Sequence, residues 1–134
     1  ERRRIPEAAM PADAKTHNYL DGILTRLELR GTDADECLVR DTEGAVAEGA
    51  TSNLFFVEGE ALKTPELGAI LPGITREAVL GLADRLGVPT ETGQYAVEDI
   101  DGATEAFLTN STWEIRPVAV VDGIQALKPP FQNL

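Results

Sequence analysis

The stretch Leu71-Pro72-Gly73-Ile74-Thr75-Arg76 opens the clearest helical pattern in the chain, and the other segments fall into place on either side of it. From Thr75 the apolar residues recur at Val79, Leu82, Ala83 and Leu86, one stripe at helical spacing. Gly87 stands where a C-terminal cap belongs, with Pro89 just beyond it. Pro72 and Gly73 force a tight turn immediately before the helix, and Thr75 can cap it. Such a turn leaves backbone N–H groups and the positive end of the helix dipole directed outward, a site for phosphate or another anion. An ordinary helix start has the same residues, so the rest of the chain decides between the two.

C-terminal to this helix, residues 88–92 read as a short strand and Val97-Glu98-Asp99-Ile100 as a helical turn. Ala106-Phe107-Leu108-Thr109 is a strand broken at Asn110-Ser111-Thr112, and residues 118–121 form another that leads into an Asp122-Gly123 turn. On the N-terminal side, Leu54-Phe55-Phe56-Val57 is the most strand-like run. It follows a small-residue bend, Gly49-Ala50-Thr51-Ser52-Asn53, and returns through Glu58-Gly59 as Ala61-Leu62-Lys63, which Thr64-Pro65 ends. Cys37-Leu38-Val39 and Ala45-Val46-Ala47-Glu48 flank a Thr42-Glu43-Gly44 hairpin turn. A first helix begins near Asn18, with Leu20, Ile23, Leu24 and Leu27 on one face and Gly31 at its stop. Mainly antiparallel strands with two main helices make the class α+β.

At 134 residues, 43% hydrophobic, the chain is one domain with enough length for a sizeable core. A net charge of −11 argues against nucleic acid or an anionic membrane as partner, because nothing offsets phosphate repulsion. No apolar run approaches membrane-spanning length and no signal peptide is visible. Cys37 is the single cysteine, which excludes an internal disulfide and fits a reducing, cytoplasmic compartment. Residues 1–14, basic and then rich in Pro and Ala, read as an extended interdomain linker, and residues 15–134 as the domain. The start at Glu1-Arg2-Arg3-Arg4, without an initiator methionine, suggests a fragment.

His17 is the only histidine and no Gly-x-Ser-x-Gly elbow surrounds a serine, so a nucleophilic triad and a zinc site are both poorly supported and no metal is expected. Carboxylates are too abundant for any pair of them to be informative. A different set remains. Lys15 lies at the junction before the first helix, and Tyr19 is one helical turn on, so amine and phenol can face the same space. Glu48 ends a strand at the Gly-Ala-Thr-Ser bend, where a flat ligand can approach; Gly73-Ile74-Thr75 is the anion cradle; Asn110-Ser111-Thr112 is a second polar break. Amine, carboxylate, phenol and phosphate cradle are together what pyridoxal 5'-phosphate requires. Lysine forms a Schiff base with its aldehyde, and a carboxylate beside the pyridine nitrogen keeps the ring an electron acceptor.

Lys-Thr-x-Asn-Tyr-Leu (15–20), Glu-Gly-x-Thr-Ser-Asn-Leu-Phe (48–55), Leu-Pro-Gly-Ile-Thr-Arg (71–76) and Phe-Leu-Thr-Asn-Ser (107–111) together resemble the class IV pyridoxal-phosphate enzymes. That family holds branched-chain and D-amino-acid aminotransferases and 4-amino-4-deoxychorismate lyase. The resemblance implies the large domain of that fold, its strands in a barrel-like arrangement. It makes Lys15 the Schiff-base and proton-transferring lysine, pairs Glu48 with the pyridine nitrogen and Tyr19 with the ring oxygen, and gives Ile74, Thr75 and Ser111 to the phosphate. Asn110 and Thr112 then face the substrate, an amino acid or 2-oxo acid, and the assembly is a homodimer. The family's N-terminal small domain is absent from this sequence, which implies the cofactor-binding domain alone. Amino-group transfer is the leading expectation, with the lyase reaction, releasing pyruvate and 4-aminobenzoate, as the first alternative. Ala69 to Gly73 and Phe107 to Ser111 lean towards the lyases, whereas Trp113-Glu114-Ile115-Arg116-Pro117-Val118 leans towards transaminases. A truncated, non-catalytic cofactor-binding domain is the third reading.

Overall fold

Leu54, Phe55 and Phe56 are each at most 1% exposed, and the rest of the fold is built outward from the strand that holds them. The computed structural model describes residues 20–68, 70–119 and 121. In chain order the elements are α1 (Leu20–Leu27), β1 (Leu38–Arg40), β2 (Val46–Gly49), β3 (Asn53–Glu58), β4 (Ala61–Pro65), α2 (Ile74–Leu86), β5 (Thr90–Gly93), α3 (Val97–Asp101), β6 (Glu105–Asn110) and β7 (Glu114–Pro117). A five-stranded sheet runs β5-β4-β3-β6-β7, and β1 pairs with β2 in a separate ladder.

β3 is central and covered on both faces, which is why its sequence is continuously apolar rather than alternating. On one face Leu54 and Phe56 pack with Val46 of β2, Ile100 of α3, and Ala106 and Leu108 of β6. On the other, Phe55, Leu62 and Phe107 meet Ala83 of α2, with Val79 and Leu80 beside it. Phe55 and Phe107 are register partners, and their rings stack at 5.1 Å. Phe56 meets Tyr95 edge-on at 4.9 Å. Thr64, also fully buried, satisfies its hydroxyl by donating to the Leu54 carbonyl at 2.7 Å.

α2 ends as its sequence indicates. Gly87 takes the left-handed conformation (φ 70°), and the Val88 N–H closes the helix on the Ala83 carbonyl at 2.9 Å. The buried arc differs from the expected stripe: it centres on Val79, Leu80 and Ala83, leaving Leu82 and Leu86 largely exposed. Because α2 carries the chain back across the sheet, β5 lies parallel to β4, from Leu62↔Thr90 to Pro65↔Gly93, whereas the other pairings among the described residues are antiparallel. The α+β class holds. The barrel-like arrangement does not: among the described residues the sheet is open, with β5 and β7 at its edges. α2 covers one face and the β2 and α3 side chains the other, so each face is buried without closure.

α1 departs in a similar way. Leu20, Ile23 and Leu27 are 44–58% exposed, and Thr25 is the residue turned inward. The Cys37 thiol, half-buried, donates to the Thr25 carbonyl at 3.4 Å. Burial raises its pKa above the usual thiol value, and the nearby Glu36 and Glu28 carboxylates add to the effect. Less thiolate means less nucleophile. Alkylation of native Cys37 by iodoacetamide at pH 8 is therefore expected to be slower than that of a cysteine peptide, and denaturant should abolish the difference. Equal rates before and after unfolding would show an unperturbed thiol.

Candidate active site

Glu48, at the end of β2, is only 8% exposed, unusual for a carboxylate. The chain leaves β2 through Gly49, whose N–H donates to the Ser52 carbonyl at 2.6 Å; a side chain at Gly49 would collide with the Ser52 hydroxyl. The bend is braced from outside by Glu36, whose Oε2 accepts from the hydroxyls of Thr51 (3.3 Å) and Ser52 (3.4 Å). It delivers Asn53, 5% exposed, to the start of β3.

Glu48 and Asn53 both grip the segment before α2. The Leu71 N–H donates to Glu48 Oε2 at 3.0 Å, and Asn53 Nδ2 donates to the Leu71 carbonyl at 2.9 Å. Asn53 Nδ2 also lies 3.5 Å from Glu48 Oε2. The N–H and the carbonyl of one residue are thus both held, by neighbours on β2 and β3. Pro72 follows, then Gly73, the N-cap, with φ −71° and ψ 139°. A Cβ at Gly73 would collide with Asn53 Oδ1, so only glycine fits beneath the turn.

The helix begins at Ile74 and no side chain caps it. Thr75, expected as a possible cap, lies within the first turn, past the cap position; its hydroxyl makes no capping bond. The outward N–H groups of this turn are what an anion site requires. Ile74 is 77% exposed and Thr75 half-buried. Arg76 turns inward, 6% exposed; its Nη2 donates to the Pro65 carbonyl at 3.0 Å, while Nε has no partner. Burial lowers the guanidinium pKa from its usual value.

The β6–β7 turn stands at the same end of the sheet, because Thr109 is the ladder partner of Asn53. Thr109 is fully buried and its hydroxyl is unpartnered. Asn110 organises the turn: its Oδ1 accepts from the N–H groups of Thr112 (2.9 Å) and Trp113 (3.0 Å), and its Nδ2 donates to the Thr51 carbonyl at 3.3 Å. Glu114 closes the turn at φ 60°, a left-handed conformation rare for a non-glycine residue. Ser111 and Thr112 are exposed at the tip. The structure therefore brings Glu48 directly to the Leu71–Gly73 turn and ties the Asn110 turn to the Thr51 bend. Lys15 and Tyr19 lie outside the described residues. Among the described residues no group of acidic, His and Cys side chains could hold a metal ion.

The family model for amino-transferase class IV matches residues 1–121. The chain belongs to the class IV aminotransferase family. A putative branched-chain-amino-acid aminotransferase of Methanocaldococcus jannaschii is 35% identical over 122 residues, 90% of this chain and 42% of that protein. The aminodeoxychorismate lyase of Bacillus subtilis is also 35% identical, over 124 residues, 92% of this chain and 42% of the lyase. Among solved structures, a T.th. branched-chain amino acid aminotransferase with pyridoxamine 5'-phosphate superposes with a TM-score of 0.88 at 35% identity, covering 94% of this chain and 42% of that one. The chain thus spans about two-fifths of the length of these relatives.

Within this class IV chain, sequence reasoning missed Asn53, Arg76 and Thr109 as buried polar residues around the start of α2. Asn53 carried a signal: an amide entering an otherwise apolar strand is costly to bury unless it has specific partners.

Proposed function

We propose that this chain is the cofactor-binding part of a pyridoxal-phosphate-dependent aminotransferase that moves an amino group between an amino acid and a 2-oxo acid. The supporting observation is the join between Glu48 and the segment that leads into α2, made through the Leu71 main chain. A buried carboxylate and a row of helix-start N–H groups, held in fixed relation, suit a ligand with a basic ring nitrogen at one end and a phosphate at the other. The turn is seated directly on Asn53, whose Oδ1 fills the space a Cβ at Gly73 would take, so the helix start is held at a fixed place beside Glu48. The relative with pyridoxamine 5'-phosphate supports the same choice of cofactor.

When bound, pyridoxal phosphate supplies an electron-accepting ring that stabilises negative charge at the substrate α-carbon. In the proposed assignment Lys15 would hold the cofactor through Nζ, and as a free amine would move a proton at the substrate α-carbon. Glu48 would hold a proton on the ring nitrogen, and the Tyr19 hydroxyl would donate to the ring oxygen. The Ile74 and Thr75 N–H groups would hold the phosphate, helped by the Thr75 and Ser111 hydroxyls. Asn110 is committed to Thr51, Thr112 and Trp113. It therefore shapes the substrate side of the site through the turn, leaving the Thr112 hydroxyl as a donor to a substrate carboxylate. Residues 15–134 form the cofactor-binding unit with 1–14 as its linker, and the working assembly is a cytoplasmic homodimer. Among the described residues no helix is long and apolar enough to cross a membrane.

The lyase reaction is the second reading, favoured by the equal identity of the Bacillus subtilis aminodeoxychorismate lyase. One experiment on the full-length protein separates the readings. A transaminase parks the amino group on the cofactor, so a suitable amino acid alone should convert the bound cofactor to pyridoxamine phosphate, and a 2-oxo acid should reverse it. Continuous pyruvate release from aminodeoxychorismate, with no pyridoxamine phosphate formed, would overturn amino transfer in favour of the lyase. Neither outcome, with cofactor bound, would identify a non-catalytic domain.

A further inference from the structure

We propose that Asn53 is a positioning residue that sets the Glu48 carboxylate and the phosphate-binding turn in one fixed geometry; this rests on the cofactor assignment above. Asn53 is 5% exposed, and its amide carries two distinct jobs. Nδ2 donates to the Leu71 carbonyl at 2.9 Å, with Glu48 Oε2 3.5 Å away. Oδ1 packs against Gly73, where it occupies the space a Cβ would take. Glu48 Oε2 receives the Leu71 N–H, so acid, main chain and amide close a ring: Glu48 to the Leu71 N–H, the Leu71 carbonyl to Asn53, and Asn53 back towards Glu48. Both side chains in that ring come from adjoining ends of β2 and β3, and the residue they hold stands two positions before the N-cap of α2.

The geometry gives Asn53 a role that bulk alone cannot fill. Leu71-Pro72-Gly73 precedes a helix that no side chain caps, so the direction of its first N–H groups depends on how the turn is held. Pro72 contributes no N–H, which leaves the Leu71 main chain as the point of attachment next to the turn. Removing the Asn53 donor leaves a part-buried carbonyl at Leu71 unpaired. The turn is then held by Glu48 through the Leu71 N–H alone, one contact in place of two.

The test compares Asn53→Ala and Asn53→Asp in the full-length protein. Asp has nearly the volume of Asn but, when ionised, donates no hydrogen bond and stands beside the Glu48 carboxylate, so retained affinity in it would exclude donation as the role of Asn53. Two quantities are measured: the dissociation constant for pyridoxal phosphate, followed by absorbance, and hydrogen exchange at the Leu71 amide in the cofactor-free protein. Both variants are expected to bind the cofactor about tenfold or more weakly, the loss associated with leaving a buried acceptor unpaired. The Leu71 amide should exchange faster in both, while amides in the middle of β3 stay protected. Wild-type affinity in Asn53→Asp would overturn the proposal and reduce Asn53 to a space-filler. Wild-type affinity in Asn53→Ala would overturn it outright, leaving the cofactor assignment standing. A wild-type protein that binds no pyridoxal phosphate would instead overturn that assignment and this inference together. If Asn53→Ala fails to fold, the near-isosteric Asp variant decides by the same two measurements.

Discussion

Borohydride reduction of the full-length, cofactor-loaded protein is expected to leave the pyridoxyl group on Lys15, and Lys15→Ala to lose about 10⁴-fold or more of the amino-transfer rate. This sequence offers three candidates, Lys15, Lys63 and Lys128, which peptide mapping tells apart. The structure supplies an argument against Lys63 that the sequence could not. Its ammonium pairs with Glu58 at 2.5 Å and Glu91 at 3.3 Å, and lies 5.9 Å from the centre of the Tyr95 ring. The Glu58 hydrogen bond leads the causes that raise its pKa above the usual lysine value. Such an amine stays protonated at neutral pH, and only the free base attacks an aldehyde. Lys63 sits in β4, and Lys128 outside the described residues beside Pro129 and Pro130. A label on either of them would end the assignment of Lys15.

Glu48→Gln is expected to retain the fold and bind the cofactor, yet lose about 10²-fold or more in turnover of the full-length enzyme, as when one preorganised electrostatic group is removed from a transition state. The amide oxygen of Gln can still accept the Leu71 N–H, so stability should change by no more than about 1 kcal/mol. What it cannot do is balance a proton on the ring nitrogen, and a neutral ring withdraws electrons poorly. Thermal denaturation and single-turnover kinetics should therefore part company: an unchanged midpoint with a slowed proton-transfer step. Unimpaired turnover would make Glu48 a structural acid that braces the turn before α2.

What the sequence made legible follows from how local each cause is. The Leu54–Val57 strand was plain because burial on both faces demands a continuous apolar run, and the end of α2 was plain because Gly87 needs a positive φ. The parallel seating of β5 was not, since Thr90, Glu91 and Thr92 are all exposed and nothing in their pattern favours one orientation. That orientation comes from the path of α2. The open sheet was missed for a related reason: a barrel closes through its edges, and edge pairing leaves little trace in the side chains. At the site, Glu48 and the Leu-Pro-Gly turn were each readable. Their union was not, because it runs through the Leu71 main chain, which every residue type possesses. The left-handed Glu114 was equally invisible, its conformation being imposed by the turn that Asn110 holds.

The position of β3 between β4 and β6 has a consequence for how the chain reaches its native state. β4 follows β3 across a tight Gly59 turn, but β6 arrives much later, with Phe55 pairing to Phe107. A hairpin of β3 and β4 can therefore form quickly, whereas the other side of β3 waits on the closure of a long loop. Until then Leu54, Phe55 and Phe56 present an apolar, unpaired strand edge, the kind of surface that recruits the same segment of another nascent chain. The segment that anchors the finished core is thus also the one most exposed to misassembly, and the late arrival of β6 is what removes the hazard.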